Sequence, residues 1–204
     1  MREVDGSSQQ LSQKFWKIVC SKVAGLDKRL AGAISITAVE YEDRYLKSPL
    51  QFKVLFEMLK QIVALKGKKD PEVEIRVKTE VLRPHSNMRE PQGLLDDWNS
   101  SPDRKLVFQY GLEAIGGKVL IEEFADKREL KHQREMRITW KDGVNWTMRL
   151  DEGVGWLKPS RWTEFPFRSD AKNQAETIRR LALNLETRNK NGTVLYLFPL
   201  STGA

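Results

Sequence analysis

The residues that build redox and metal sites are scarce in this chain: 204 residues include one cysteine and two histidines. A lone thiol, Cys20, excludes an internal disulfide and any cysteine-built zinc site, so neither a metal nor a redox cofactor is expected. Long apolar runs are missing too. No stretch approaches the roughly 18 apolar residues of a membrane span, and the opening MREVDGSSQQ lacks the apolar core of a secretion signal. The expectation is a cytoplasmic protein. Glycine patterning is equally sparse: no G-x-G-x-x-G and no P-loop occurs, which removes the usual nucleotide-phosphate cradles.

What is present supports a folded core and a basic surface. Hydrophobic residues make up 40% of the chain, enough for one domain of ordinary size. Thirty-five Lys and Arg stand against 28 Asp and Glu, a net charge of +7. That sign favours anionic partners such as nucleic acid, phospholipid headgroups or an acidic protein, although the two signs are well mixed.

Periodicity gives an element order. From Leu11, the residues Phe15, Ile18, Val19, Val23, Leu26 and Leu30 recur at helical spacing, after a polar end at residues 1–10. ISITAVEY is a strand, and Ser48-Pro49 caps a helix reaching about Leu65, with Leu55, Met58, Leu59 and Ile62 on one stripe. In EVEIRVKTEVL, the apolar Val73, Ile75, Val77 and Val81 alternate with charge, as in a half-buried strand. RPHSNMREPQG is a loop, residues 91–115 are helical with breaks, and GKVLIEEF is strand-like. Residues 133–150 form a hairpin around KDGV. Residues 171–188 form a last helix, and the apolar GTVLYLF suits a central strand buried on both faces. The fold class is α/β, one sheet flanked by helices with a helix at its N-terminal side. The natural division is residues 1–37 as tail and helix and 38–204 as the α/β domain.

Strand parity singles out one end of the hairpin. His132, Arg134, Met136, Ile138 and Trp140 share a face, so His132 and Arg134 end an apolar stripe at the sheet's edge. A histidine with a cation two residues on can hold a phosphate oxyanion. The residues between His132 and Lys158 also carry a resemblance. H-x-R-E-M-R, the hairpin, Trp146 and then G-x-x-W-L-K from Gly153 resemble the phospholipase D-like domain that follows the MIT (microtubule-interacting and trafficking) module in some eukaryotic proteins. EDRYLKSPLQFKVLFEMLKQIV is similar to that domain's opening. The likeness runs over about residues 38–198. It implies a phospholipase D fold, commonly dimeric and without demonstrated catalysis. Eukaryotic relatives imply a phosphoinositide-binding role at membranes. The opening AGAISITAVEYEDRYLKSPL is closer to related domains joined to prokaryotic DNA helicases in genome defence. The chain departs from the eukaryotic pattern at Gln133, where that pattern has Asp, and at GVG, where it has GLD.

These features leave three functional readings. Phospholipase D chemistry needs two histidines, each with a lysine two residues on. Here the second histidine, His85, is followed by Asn87 in the lysine's place, so catalysis would require a symmetric dimer joining two copies of His132 and Arg134. The favoured reading is a non-catalytic module in a DNA-directed anti-phage assembly with a helicase or nuclease partner. His132, Arg134 and Arg44 would bind phosphate, and Lys68, Lys69, Arg179 and Arg180 would touch nucleic-acid backbone. The third reading is a phosphoinositide adaptor on a membrane surface. Trp140, Trp146 and Trp156 are expected in the core or at its rim, and Gly153 and Gly155 as turn glycines.

Overall fold

The computed structural model describes residues 2–64, 73–83, 91–130, 134–189 and 193–202. A 3-10 turn at Arg2–Val4 leads into β1 (Gly6–Ser7), α1 (Ser8–Lys22), α2 (Leu26–Ala31), β2 (Ile36–Glu42), α3 (Pro49–Ala64) and β3 (Glu74–Glu80). Then come α4 (Ser101–Glu113), β4 (Lys118–Phe124), the hairpin β5 (Arg134–Trp140) and β6 (Val144–Leu150), and β7 (Leu157–Pro159). The chain finishes with α5 (Ala171–Arg180), β8 (Asn184–Thr187), β9 (Leu195–Leu197) and β10 (Ser201–Thr202).

The main sheet runs β10-β6-β5-β2-β3-β4, with β9 also pairing β6. β2, β3 and β4 are parallel, whereas β5 returns antiparallel along the other side of β2. β2 is therefore the strand at which a parallel half meets an antiparallel half. The expected α/β class, a sheet flanked by helices, is thus present; the main sheet is mixed, and a second, small sheet stands beside the expected one. Inward residues such as Val39, Val77, Met136 and Met148 are buried with the apolar faces of α1, α3, α4 and α5. Outward residues such as Glu40, Arg76, Arg137 and Arg149 are charged and half-exposed.

Local chemistry explains the best-formed elements. Ser48 caps α3, and Gln51 closes a reciprocal capping box by accepting the Ser48 N–H at 3.0 Å. Asp170 caps α5 through the Lys172 and Asn173 N–H groups, both at 3.0 Å. Gly143 takes the positive φ that the hairpin turn demands. Trp140, Trp146 and Trp156 are fully buried, each worth up to about 5 kcal/mol of apolar burial. Part of that gain is offset, because their indole N–H groups find no acceptor among the described residues.

Several sequence expectations need correction. The first helix is two, because Gly25 sits at φ 78° between them. The polar end expected over residues 1–10 is tied down where it is described: Val4 and Ser8 are buried, and the Thr187 N–H donates to Asp5 Oδ1 at 2.9 Å. Residues 91–100 are loop, with helix only from Ser101. The last helix stops at Arg180, and Asn184–Thr187 is instead the middle strand of a small antiparallel sheet, β1-β8-β7. Pairing with the distant Gly6–Ser7 and Leu157–Pro159 outweighs the helical periodicity of LALNLET. GTVLYLF is no central strand: β9 lies at the sheet's border, with Leu195 and Leu197 half-buried and Tyr196 54% exposed. The N-terminal helix packs on the domain, with the Trp16 indole donating to the Met58 carbonyl at 2.9 Å.

Candidate functional site

In sheets with parallel strands, ligands gather beyond the strands' C-terminal ends, at the point where the order reverses. Here that point is the end of β2, with the start of β5 beside it: Glu42 lies opposite Glu135, which places Asp43 and Arg134 next to each other. The sequence of this strand exit, Asp43-Arg44-Tyr45-Leu46-Lys47, supplies the rest of the site.

Asp43 is its buried anchor. The carboxylate, 1% exposed, accepts from the Tyr45 N–H at 2.9 Å through Oδ1 and from the Tyr41 hydroxyl at 3.0 Å through Oδ2. The Tyr41 oxygen in turn accepts the Val154 N–H at 3.1 Å. Arg134 Nε stands 3.6 Å from Asp43 Oδ1. Burial raises the Asp43 carboxyl above the ordinary range, against the opposing pull of the Tyr45 N–H and the Arg134 charge. Burial, reinforced by the Asp43 charge, also pushes the Tyr41 phenol well up.

Gly153 makes this packing possible. Its φ is 56°, and a Cβ there would lie 2.1 Å from Asp43 Oδ2 and 2.5 Å from Arg134 Cδ. The Gly-Val-Gly after the hairpin is thus no phosphate loop. Its first glycine is the close approach that lets the hairpin's exit lie on the β2 carboxylate. Gly155 lies against Gln51, 3.1 Å from Nε2 for a Cβ built there.

Around the anchor, three cations surround one ring. Arg134 Cζ lies 4.9 Å, Arg44 Cζ 5.8 Å and Lys47 Nζ 5.9 Å from the Tyr45 ring centroid. Arg134 donates to the Asp151 carbonyl, and Arg44 donates to the Leu130 carbonyl at 3.3 Å. Each guanidinium is thereby aimed by one bond to a loop carbonyl while keeping N–H groups for a ligand. Among the described residues, neither Arg44 nor Lys47 has a carboxylate within salt-bridge distance. Both Arg44 and Arg134 have a buried Nε without an acceptor, but Arg29, Arg76 and Arg179 do as well, so that property does not mark the site. Beside Lys47 opens a cleft of about 90 Å³ that also involves Glu80, Arg83, Asp97 and Trp98.

The expected phosphate binders Arg44 and Arg134 therefore come together. His132, Lys68 and Lys69 lie outside the described residues, as does His85. Arg179 and Arg180 diverge: the Arg179 guanidinium lies over Phe56 at 5.7 Å, and Arg180 pairs with Glu176 at 2.6 Å in the open. The backbone of Arg179 has a structural task, since its carbonyl receives the buried Lys53 ammonium at 2.7 Å. Sequence reasoning missed Asp43, Tyr45 and Lys47. The signal was available in DRYLK, three charges and a ring in five residues at a strand's end. Among the described residues, no three His, Cys, Asp or Glu side chains are grouped as a metal site requires, and no described helix is long and apolar enough to cross a membrane.

A buried aspartate beside an aromatic ring with three cations about it could hold an anion. Comparison with known proteins gives the setting. No curated protein matches the chain. Residues 1–198 match the family described as DEAD/DEAH box helicase YjiV, C-terminal domain, and the chain belongs to that family.

Proposed function

We propose that the chain is a non-catalytic nucleic-acid grip working beside a helicase motor, in which Arg44, Lys47 and Arg134 hold phosphates of the backbone. One observation carries this reading: three cations converge on the Tyr45 ring at the C-terminal end of β2, two of them without a carboxylate partner among the described residues. Family membership supports it, because a helicase needs contacts to the strand it travels on. The phospholipase D resemblance fits as well. A hairpin returning antiparallel beside β2 puts its first residues, where that family keeps its phosphate ligands, beside the β2 exit. The DNA-directed defence assembly implied by the same resemblance is part of the proposal, with the motor as the partner. The reading does not depend on His132.

The test is fluorescence anisotropy with labelled DNA across a salt series. Three phosphate contacts predict that log K falls against log salt with a slope of about −2 to −3. Arg44→Ala and Lys47→Ala should each flatten that slope by about 1. Unchanged slopes would reject this cationic rim of Arg44, Lys47 and Arg134. Binding to anionic vesicles and not to DNA at matched ionic strength would transfer the site to a membrane surface. Phosphodiester hydrolysis that disappears in His132→Ala would make the protein an enzyme.

A further inference from the structure

The same end of the molecule carries an aromatic side chain that the rim does not use. Trp162 is 64% exposed, the most exposed large apolar side chain among the described residues. The other five tryptophans are buried. Exposure of an indole to this degree forfeits the burial that normally justifies the residue.

Trp162 is nevertheless held in place. A Cβ built on Gly93 would lie 2.3 Å from its Cη2 and 2.7 Å from its Cζ2, so the indole rests directly against the backbone of a glycine. The loop beneath it is secured on both sides. The Leu94 N–H donates to the Thr163 carbonyl at 3.1 Å, and a bridge pairs Gly93 with Glu164. That loop is also joined to the rim. The Leu50 N–H donates to the Leu94 carbonyl at 3.0 Å, and the Trp98 N–H donates to the carbonyl of Lys47 at 2.9 Å. Next to the indole is a cleft of about 120 Å³ lined by Leu94, Leu95, Pro159 and Arg161. Among the described residues Arg161, like Arg44 and Lys47, has no carboxylate in salt-bridge reach.

We infer that Trp162 is a base-stacking platform and that the nucleic acid held by the rim is single-stranded. The inference rests on the rim reading and narrows it. In a duplex both faces of each base are occupied by its neighbours, and an indole can stack only on a base that is unpaired or displaced. A pre-positioned ring beside an unpaired cation on the same loop layer as Lys47 provides what a single strand requires. The ring takes a base, and Arg161 and the rim take flanking phosphates. Contact with the glycine fixes the indole before the ligand arrives, which lowers the ordering cost of binding.

The test compares three labelled probes on the 204-residue chain: oligothymidylate dT12, an abasic 12-mer with the same backbone, and a 12-base-pair duplex. The unsubstituted chain should prefer dT12 to both others. Trp162→Ala should weaken dT12 binding roughly 10-fold and abolish its advantage over the abasic probe. Trp162→Phe should retain most of that advantage, and the salt slope should be unchanged in both variants. Because the side chain is exposed, the melting temperature should remain that of the unsubstituted chain. Equal dT12 affinity in Trp162→Ala, or binding of duplex without binding of dT12, would overturn the platform and leave the rim standing. Loss of dT12 affinity in Trp162→Ala, with salt slopes unaltered in Arg44→Ala and Lys47→Ala, would overturn the rim and leave the platform. A Trp162→Ala variant that stops self-associating in sedimentation while binding dT12 normally would assign the indole to a second copy of the chain instead.

Discussion

Replacing Gly153 by Ala isolates the contact that builds the site. Two costs are expected. An L-residue at φ 56° costs about 1 kcal/mol of backbone strain. The new Cβ would also lie 2.1 Å from Asp43 Oδ2, and the carboxylate has nowhere to retreat because the Tyr45 N–H and the Tyr41 hydroxyl hold its two oxygens. Swinging it aside breaks the Tyr41 bond and leaves a buried acceptor unpaired, about 2 kcal/mol more. The sum is about 3 kcal/mol, or a fall in Tm of roughly 6 to 12 °C for a chain of this size. Gly143 is the control, since its φ is 81° and nothing lies within 4 Å of a Cβ there. Gly143→Ala should cost only the backbone share of about 1 kcal/mol. Urea unfolding reads both, with the midpoint moving at constant slope. In an Asp43→Ala background, where Arg134 also loses its partner and can move its Cδ away from the 2.5 Å approach, the cost of Gly153→Ala should fall back toward about 1 kcal/mol, a coupling of about 2 kcal/mol. Equal costs for Gly153→Ala and Gly143→Ala, or no coupling, would refute the close approach.

Asp43 also predicts a pH dependence. Its folded-state pKa is raised by burial, so the folded chain binds the extra proton between the ordinary carboxylate range and the raised value. Its contribution to stability is thus full at low pH and is lost as pH rises through that window; Asp43→Asn should flatten this part of the stability curve. Lys53→Met should destabilise by about 3 kcal/mol, because Glu57, 2.8 Å away and equally buried, loses its buried partner and keeps only the exposed Lys60 at 2.9 Å; Lys53→Met with Glu57→Leu should recover most of that in thermal unfolding. Ile138→Asp should unfold the chain or cost more than about 4 kcal/mol by circular dichroism, since a carboxylate would be buried in the core unpaired.

Legibility followed the range of the interactions. Strands with a clean period of two, such as Glu74–Glu80 and the hairpin, were readable because one face of each is buried. The Ser48 cap and the Gly143 turn were readable because their chemistry is local. Misreadings arose where a distant partner decides. Leu185 has helical spacing with Ile178 and Leu181, yet it pairs with Gly6 in a strand. Tyr196 sits in an apolar run, yet its strand adds to the sheet's border, and its ring faces outward opposite Arg149. The site was legible by half. Parity found Arg134, but the buried partner that positions it, Asp43, lies 91 residues earlier in sequence and becomes visible only in the register of β2 with β5. Trp162 was passed over because nothing in SRWTEF tells that a glycine 69 residues earlier will support it.

Charge placement supports the loop end, rather than the broad face of the sheet, as the proposed place for an anion. The outward residues of β2 to β6 include five cations, Arg76, Lys78, Lys118, Arg137 and Arg149, and six glutamates: Glu40, Glu42, Glu74, Glu80, Glu122 and Glu135. They neutralise one another in place. Arg76 lies between Glu74, Glu122 and Glu40 at 2.6, 3.3 and 3.7 Å, and Glu135 takes Arg137 and Arg149, both at 3.0 Å. Even where Arg149 stacks on Phe198 at 4.9 Å beside an open groove, its charge is already matched. A polyanion on this face would have to displace intact ion pairs, each exchange returning little net free energy. The face therefore adds nothing to the chain's net charge of +7. At the β2 exit the balance is different: Asp43 is buried and held by Tyr41 and Tyr45, and among the described residues neither Arg44 nor Lys47 forms a salt bridge, although Glu80 and Asp97 share the cleft beside Lys47. On the proposed reading, a strand of phosphates would gain Coulomb energy there without breaking a pair, and this difference in cost would direct an anionic ligand to the loops.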